Sequence, residues 1–213
     1  MFAPSLGRFL CVVMEFCSEG PLTRYIGSST DNAQRNKWII DLARGLQHIH
    51  LSLIVHRDIK PDNLLVAIDT SGQQTIKYID FGLAIELSEP TSIVDDGKQA
   101  GTPTYFSPEL EARQPYAFPT DLWSLGVVFL QIFTGASEMD LLTSPFLKSR
   151  KTTEVTQDPV SVAIPALESD VKATRILDLV LQSDQCLRPT ANALVEFVVK
   201  MPSPVEAAAN ASD

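Results

Sequence analysis

Residues 56–65 read HRDIKPDNLL, a loop crowded with ionisable and amide side chains that runs straight into an apolar segment. Asp58, Lys60 and Asn63 lie at short, defined spacings around Pro61. A loop that only has to be soluble has no need of this combination immediately before a buried strand. The pattern indicates a site where an acid, a base and an amide act together.

Two short apolar runs after this loop predict a β-hairpin. LLVAI (64–68) and TIKYI (75–79) flank DTSGQQ, which contains the glycine and polar residues typical of a turn. Asp80 comes directly after the second run. Because the two ends of a hairpin lie close together, we expect four polar side chains to converge: Asp58, Lys60, Asn63 and Asp80.

This set of side chains suits a magnesium ion and a phosphate group. Mg²⁺ prefers oxygen ligands, which two carboxylates and an amide supply. Phosphoryl transfer depends on positioning and on neutralising charge more than on covalent chemistry. Taken singly, each motif has another interpretation. Asp80 with the next two residues is also compatible with a plain turn, and Asn63 is also compatible with a cap at the end of a strand.

Composition narrows the class of protein. The chain has 213 residues and is 45% hydrophobic, enough for one domain with a core, or one domain and a tail. A net charge of −9 argues against a general nucleic-acid binder. Three cysteines without a close pair argue against a disulfide framework and favour a reducing compartment. The longest apolar runs fall short of the roughly 20 residues of a membrane span, and the first residues do not resemble a signal peptide.

Hydrophobic periodicity predicts a strand and a helix before the loop. FLCVVMEF (9–16) is rich in Val and Phe, as a buried strand is. Residues 31–51 repeat apolar side chains at helical spacing, and Thr30 or Asp31 is placed to cap that helix.

After the hairpin, the pattern predicts a loop and then mostly helices. Residues 83–104 have no period and read as a long loop. Residues 120–135 are apolar on nearly every face, which predicts a helix buried all round, begun by a Thr or Asp cap and ended by Gly135. The remaining expectations are an irregular stretch at 136–169, helices at 170–183 and 190–200, and a disordered tail at 202–213.

Several motifs resemble those of eukaryotic serine/threonine protein kinases, and they occur in the same order. They are HRDIKPDN (56–63), DFG (80–82), GTPTYFSPE (101–109), DLWSLG (121–126) and RPT (188–190). The resemblance runs from residue 9 to about residue 200. VMEFC (13–17) and GTPTYFSPE also resemble the NIMA-related group slightly, without assigning a subfamily.

The resemblance implies a mainly α (α+β) fold. This is the C-terminal lobe of a kinase, with one or two remnant strands of the small lobe and a small β-hairpin at the catalytic loop. It divides the chain into a remnant strand and hinge (1–17), the large lobe (18–201) and a disordered tail (202–213).

The same resemblance assigns roles in phosphoryl transfer. It implies that Asp58 is the base that accepts the proton of the substrate hydroxyl, and that Lys60 steadies the transferred phosphate. Thr102 is expected to bond both of them. Asn63 and Asp80 are expected to hold Mg²⁺, and with Lys60 to contact the Mg²⁺-bound ATP.

A second group of residues is implied to bind the rest of the nucleotide. Met14 resembles the gatekeeper beside the adenine, and the backbone of Glu15 and Cys17 is expected to bond the edge of the adenine. Leu65 would form the floor under the ring. Gly82 is expected to let the backbone turn beside the metal ligand.

Structural roles follow from the resemblance as well. Glu109 and Arg188 are implied to form a buried ion pair, for which the alternative is an exposed pair worth less than about 1 kcal/mol. Asp121 is expected to cap the helix at 120–135 and to bond the backbone near His56 and Arg57. His56 reads as a packing or hydrogen-bonding residue.

The loop at 83–104 also suggests control by phosphorylation. Arg57 occupies a position that often grips an activation-loop phosphate in kinases of this type. The loop offers Ser88, Thr91 and Ser92 as acceptors, while Lys98 lies near the position where some relatives carry a phosphorylated threonine.

The sequence departs from the kinase pattern before residue 9. It has no G-x-G-x-x-G, no V-A-I-K lysine and no helix with the partner glutamate of that lysine. Each preorganised donor of this kind is worth roughly 10²–10³ in rate, so we expect this polypeptide alone to be a weak or inactive kinase. The sequence is either an incomplete piece of a full kinase or a short protein that binds partners through a kinase-like lobe.

The sequence thus predicts a serine/threonine protein kinase that transfers the γ-phosphate of ATP, with Mg²⁺, to protein substrates with Ser or Thr acceptors. Lys60, Pro61 and Thr102 favour Ser/Thr over Tyr specificity by resemblance. The alternative is a non-catalytic, kinase-like interaction module, either a pseudokinase or a scaffold. We expect no nucleic-acid or membrane partner and a cytoplasmic or nuclear location, while the oligomeric state stays open.

Overall fold

The computed structural model describes residues 13–28, 30–152, 164 and 167–201. Helices dominate this part of the chain: α1 Asn32–Leu51, α2 Pro108–Glu111, α3 Pro119–Thr134, α4 Glu138–Thr143, α5 Pro145–Arg150, α6 Val171–Val180 and α7 Ala191–Lys200. The strands are short: β1 Gly20–Pro21, β2 Ile54–Val55, β3 Leu64–Ile68, β4 Gln74–Tyr78 and β5 Ile85–Glu86. The mainly α fold with few strands is therefore confirmed.

The strands form two small antiparallel sheets on either side of the loop at 56–63. The first sheet has the order β1–β3–β4, and the second pairs β2 with β5. Leu64 lies opposite Tyr78 in the first sheet, and Ile68 lies opposite Gln74, which is the predicted hairpin. The loop at 56–63 thus leaves one sheet at β2 and enters the other at β3.

Helix α1 begins where the sequence placed its cap. The carboxylate of Asp31 accepts a hydrogen bond from the backbone amide of Gln34 at 2.7 Å, so Asp31 rather than Thr30 is the capping residue. The apolar stripe of α1 packs against α3, α7 and β4. Its buried side chains include Trp38, Ile39, Leu42, Leu46 and Ile49.

Helix α3 is the buried centre of the core. Its side chains from Thr120 to Ile132 are all buried, as the apolar composition predicted. Gly135 ends the helix in the left-handed conformation, with φ of 72°. The predicted Thr or Asp cap is wrong, because the helix starts with Pro119 after Phe118, and Phe118 makes no side-chain capping bond.

Three regions differ from the sequence prediction, the first of which is the loop predicted at 83–104, because it contains strand β5. Val13–Phe16, the described part of the predicted strand at 9–16, is not a strand, and Phe16 is 87% exposed. No described strand pairs with this segment, and within it Glu15 forms an ion pair with Lys77. In the stretch read as irregular, α4 and α5 form from short capped segments; Ser137 and Asp140 make a capping box at the start of α4.

Some expectations fall outside the described residues. These are the first part of the strand at 9–16 and the tail at 202–213. The division of the chain into a remnant strand, a lobe and a tail stays a prediction. Within the described residues, no helix combines the length and apolar character required to cross a bilayer.

Candidate active site

The loop at 56–63, between β2 and β3, carries the central side chains of the site and corresponds to the catalytic loop of the resemblance. After β2, the chain runs through residues 56–60 and a single 3-10 turn, Pro61–Asn63, before it enters β3. Pro61 starts this turn, where its fixed φ is compatible with helical geometry. Asp58 and Asn63 are only 8% and 7% exposed, so both polar side chains must be paired inside the protein.

Asp58 is the acceptor at the centre of this arrangement. The hydroxyl of Thr102 donates to one of its carboxylate oxygens at 2.8 Å. The Nζ atom of Lys60 lies 3.0 Å from the other oxygen, to which the amide nitrogen of Asn63 also donates at 2.9 Å. Lys60 Nζ in turn donates to the Thr102 hydroxyl oxygen at 2.7 Å, which closes a ring of three side chains.

These contacts set the charge of Asp58. Burial of the carboxyl by itself raises its pKa, but hydrogen bonds from Lys60 and Thr102, the positive charge of Lys60 and the Asn63 amide outweigh burial and leave the pKa lowered. Asp58 is therefore an ionised carboxylate at neutral pH. An ionised carboxylate beside an ammonium group is a proton acceptor held in a fixed orientation.

Asn63 links Asp58 to the end of the hairpin. Its amide nitrogen donates both to the Asp58 carboxylate and to the Asp58 backbone oxygen, each at 2.9 Å. Both amide protons are thus used, and the amide oxygen is directed away from Asp58. The backbone oxygen of Asn63 accepts from the amide of Ile79 at 3.0 Å, which places Asp80 beside this turn.

Asp80 differs from the other three predicted residues. It is exposed, and its carboxylate accepts a hydrogen bond from the backbone amide of Gly82 at 3.1 Å. The structure therefore brings Asp58, Lys60 and Asn63 into direct contact, and places Asp80 next to them without a hydrogen bond to that set among the described residues.

The backbone turns at Gly82, where a hydrogen bond from the Ala84 amide to the backbone oxygen of Phe81 at 3.1 Å closes the turn. The residue that adopts the left-handed backbone conformation is Asp80, with φ of 61°, and not Gly82. Asp residues tolerate this conformation better than most, because a short polar side chain can hydrogen-bond locally. Here the Asp80 carboxylate does so with the Gly82 amide.

The donor set around Asp80 fits Mg²⁺. Mg²⁺ is bound in phosphoryl-transfer sites by one or two protein carboxylates together with waters and phosphate oxygens, so a dense acidic cluster is not required. The described residues hold no cluster of three or more His, Cys, Asp or Glu side chains suited to a metal. Asn63 and Asp80 offer an amide oxygen and a carboxylate, which are the ligand types that Mg²⁺ prefers.

Gly101 allows the loop that carries Thr102 to approach the catalytic loop. Its φ is 111°, and a Cβ atom at this position would come within 2.2 Å of the backbone oxygen of Arg57. Only glycine fits such an approach without moving the backbone. The contact between Thr102 and Asp58 therefore depends on the absence of a side chain one residue earlier.

Asp121, on α3, fixes the start of the catalytic loop through hydrogen bonds to its backbone. Its carboxylate accepts hydrogen bonds from the backbone amides of His56 at 2.8 Å and Arg57 at 2.9 Å, as the resemblance implied. Nε2 of His50 lies 3.0 Å from the same carboxylate. The contact with His50 was missed from the sequence, because residues far apart in the chain meet only once α1 and α3 are packed.

His56 packs and hydrogen-bonds, as predicted. Its side chain is fully buried, and Nε2 lies 3.1 Å from the backbone oxygen of Ile79. Its ring also lies 4.8 Å from that of Phe81. His56 thus connects the start of the catalytic loop to the segment that carries Asp80.

The Glu109–Arg188 pair is buried, which excludes the alternative of an exposed pair. The two side chains form a bidentate ion pair, in which the two terminal nitrogens of Arg188 donate to the two carboxylate oxygens of Glu109 at 2.6 and 2.8 Å. Arg188 also donates to the backbone oxygen of Pro119 at 3.0 Å and lies over the ring of Trp123. It therefore ties the segment after Thr102 to α3 and to the start of α7.

Arg57 is occupied by partners that the sequence did not reveal. Its Nε donates to the backbone oxygen of Leu83 at 2.5 Å, and one terminal nitrogen donates to the hydroxyl of Tyr116 at 2.9 Å. The carboxylate of Asp96 lies 3.9 Å away. Tyr116 reaches this place because its backbone pairs with Val94, a contact without any periodic signal in the sequence.

The residues expected to bind the adenine lie in a more open environment. Met14 is 61% exposed, and Glu15 forms an ion pair with Lys77 at 3.3 Å. Cys17 is half-buried, and its burial, followed by the nearby charge of Glu15, raises the pKa of the thiol. Leu65 is half-buried on β3. Their roles toward a nucleotide stay predictions.

Comparison with known proteins agrees with this geometry. Residues 5–198 match the family model of the protein kinase domain. The chain belongs to the protein kinase family. The catalytic loop, the segment at Asp80 and the Glu109–Arg188 pair are thus parts of a kinase domain.

The similar kinases come from distant organisms. The chain is 39% identical over 128 residues to the serine/threonine-protein kinase DCLK2 of Mus musculus. It is 36% identical over 139 residues to the serine/threonine-protein kinase ATG1b of Arabidopsis thaliana, and 27% identical over 192 residues to the serine/threonine-protein kinase PLK4 of Danio rerio. These matches cover 59%, 62% and 89% of this chain. They span only 16%, 19% and 19% of the relatives, respectively.

Proposed function

We propose that this chain transfers the γ-phosphate of ATP to Ser or Thr hydroxyls of protein substrates. The observation that carries the proposal is the closed ring of Asp58, Lys60 and Thr102, supported by Asn63. This ring provides a fixed, ionised proton acceptor and an ammonium group at one point, which is what positioning a hydroxyl and a phosphate requires. The serine/threonine kinases among the relatives support the acceptor class.

Each residue has a role in this proposal. Asp58 orients the acceptor hydroxyl and takes its proton, while Lys60 balances charge on the transferred phosphate. Asn63 and Asp80 hold Mg²⁺, which when bound neutralises charge on the ATP phosphates. Met14, Glu15, Cys17 and Leu65 lie on the nucleotide side and bind the adenine. Turnover by this polypeptide alone is slow, because its sequence has no glycine-rich loop and no V-A-I-K lysine.

The test measures transfer of radiolabelled phosphate from Mg-ATP to three peptides that differ only in a Ser, Thr or Tyr acceptor. We expect slow transfer to Ser and Thr that is lost in Asp58→Asn. Asp62→Asn is the matched control, because Asp62 lies in the same turn but bonds Thr23 instead of the catalytic ring. Transfer that survives Asp58→Asn, or that prefers Tyr, would contradict the proposal.

A non-catalytic interaction module is the second candidate. It is favoured by the exposed apolar segment at Val13–Phe16, where Val13 is 98% and Phe16 is 87% exposed, since surfaces of this kind bind partner proteins. Thermal unfolding with and without Mg-ATP separates the two candidates. A raised melting temperature supports the kinase, because a ligand stabilises only the state that binds it. No shift together with no transfer supports the interaction module.

A further inference from the structure

A cavity outside the catalytic centre lies between the end of α1, the start of α3 and the start of α7. Its volume is about 390 Å³, which is large enough for a small molecule. Most of its walls are apolar, and they include Leu51, Pro90, Phe118, Pro119, Leu122 and Ala191. None of Asp58, Lys60, Asn63 or Thr102 lines it.

His50 gives this cavity a buried hydrogen-bonding group, in addition to the polar side chains of its walls, which are those of Gln47, Arg188, Thr190 and Asn192. Its side chain is only 8% exposed, and its Nε2 bonds the carboxylate of Asp121. Because Asp121 accepts hydrogen bonds from two backbone amides as well, we assign the proton to Nε2 of His50. The hydrogen bond of His50 among the described residues is made by Nε2, which leaves the other ring nitrogen, Nδ1, for a ligand, and His50 lines the cavity. In the neutral imidazole with its proton on Nε2, Nδ1 is an acceptor available to a ligand.

The walls favour a flat ligand. The rings of His50 and Phe118 lie 4.6 Å apart with a tilt of 40°, so they present aromatic surface at one end of the cavity. A hydrogen bond of 3.0 Å between the side chains of Gln47 and Asn192 fixes one edge. Leu51 is 67% exposed and marks the rim where a molecule can enter.

We propose that this cavity binds a small aromatic molecule with an N–H or O–H donor, which bonds Nδ1 of His50. The site adjoins the catalytic loop, because the opposite nitrogen of His50 bonds Asp121, and Asp121 holds the backbone amides of His56 and Arg57. Pro90 brings the loop at 83–104 into the same cavity. A bound ligand therefore alters the rate of phosphoryl transfer, a consequence that rests on the proposed function, whereas the binding does not.

Binding is tested with indole and 1-methylindole, in which a methyl group replaces the hydrogen of the N–H donor. Each is titrated into the ¹⁵N-labelled full chain, and the backbone amide signals are followed by NMR. We expect indole to shift the signals of Leu51, Ala117 and Ala191 to saturation. 1-Methylindole should bind about two- to tenfold more weakly, because one hydrogen bond is lost. Shifts that do not saturate, or equal affinity for both compounds, overturn the proposal.

A pair of exposed leucines gives the matched variants. Leu51→Trp fills the rim and should abolish the saturable shifts, while Leu142→Trp on α4 should leave them unchanged. Because both leucines are exposed, the native fold should tolerate both changes. Binding that persists in Leu51→Trp places the ligand elsewhere and overturns the assignment.

The coupling to activity is tested separately. Saturating indole should change the rate of phosphate transfer by the unmodified chain and have no effect on Leu51→Trp. An unchanged rate in the presence of bound indole overturns the coupling. A chain without any transfer when ligand-free counts against the proposed kinase function instead, and the NMR result is independent of it.

Discussion

Asp58 is 8% exposed and receives hydrogen bonds from three side chains, whereas Met14, which was assigned to the adenine, is 61% exposed. Both residues were assigned by the same resemblance to protein kinases. The side of the site around Asp58, the catalytic side, is held by hydrogen bonds within residues 50–121. Its geometry is therefore formed without a ligand. The residues assigned to the adenine, called the nucleotide side, have few such contacts in the described part of the chain; they are Met14, Glu15, Cys17 and Leu65. The comparison indicates that the fold already holds the proposed base in position, whereas it holds the residues proposed to bind the adenine much less firmly.

The largest effect is expected from a substitution of Asp58, at the centre of the catalytic side. Asp58→Asn keeps the shape of the side chain but removes the base, so we expect phosphate transfer to fall by about 10²–10⁴-fold. The stabilisation of the chain by Mg-ATP should remain, because Asn63 and Asp80 are unchanged. Phosphate transfer and thermal unfolding measure the two effects. A loss of both together would show that the two sides of the site are not separate.

Gly101→Ala should produce the next largest effect. A Cβ atom at Gly101 would overlap the backbone oxygen of Arg57, and the positive φ is unfavourable for alanine, so we expect a loss of about 2 kcal/mol or more in unfolding free energy. Gly72→Ala is the control, because Gly72 also has a positive φ, of 81°, but no atom lies within 4 Å of the added Cβ. Equal losses in urea unfolding would mean that the close approach at Gly101 is not rigid.

The pH dependence of stability tests the charge of Asp58. Its pKa in the folded chain lies below the ordinary value of 3.8, so the folded state favours the ionised form. The resulting stabilisation is present above the unfolded pKa and is lost as pH falls through the folded pKa. The free-energy difference between the unmodified chain and Asp58→Asn should therefore be constant near neutral pH and shrink below about pH 4. A difference that changes between pH 6 and pH 8 would contradict this assignment.

The smallest effect is expected from a substitution in the exposed segment Val13–Phe16, which includes two residues of the nucleotide side. Phe16 is 87% exposed, so Phe16→Ser should change the unfolding free energy by no more than about 0.5 kcal/mol. Leu64→Ala, at a fully buried position of β3, should cost about 2–5 kcal/mol in the same urea experiment. A large loss from Phe16→Ser would show that this segment packs on the chain in solution and would remove the contrast between the two sides.

The prediction from sequence succeeded where a local pattern carries its own signal. The hairpin at 64–78 and helix α1 were recognised from periodicity and from turn and cap residues. Helices α4 and α5 were missed because each has only six residues, too few to show a period. The strand predicted at 9–16 was wrong in its described part, since an apolar run forms a strand only when another strand pairs with it.

The candidate site divides in the same way. The residue types and spacing of the catalytic loop were sufficient to nominate Asp58, Lys60 and Asn63. They were insufficient to place Tyr116 against Arg57, or His50 against Asp121, because those partners lie 59 and 71 residues apart. The turn at Gly82 was expected from its residue type, but the left-handed backbone at Asp80, whose carboxylate accepts a hydrogen bond from the Gly82 amide, was not.

The sequence by itself determined the chemistry that is present: an acid, an ammonium group and an amide at short spacing, and apolar faces that bury α1 and α3. The tertiary structure alone decided which groups meet. Packing of α3 against α1 carries Asp121 to the amides of the catalytic loop, and Gly101 brings Thr102 to Asp58. Local interactions act over a few residues and can be read from neighbours in the sequence. Contacts between distant residues depend on how the buried faces pack, which no short segment contains.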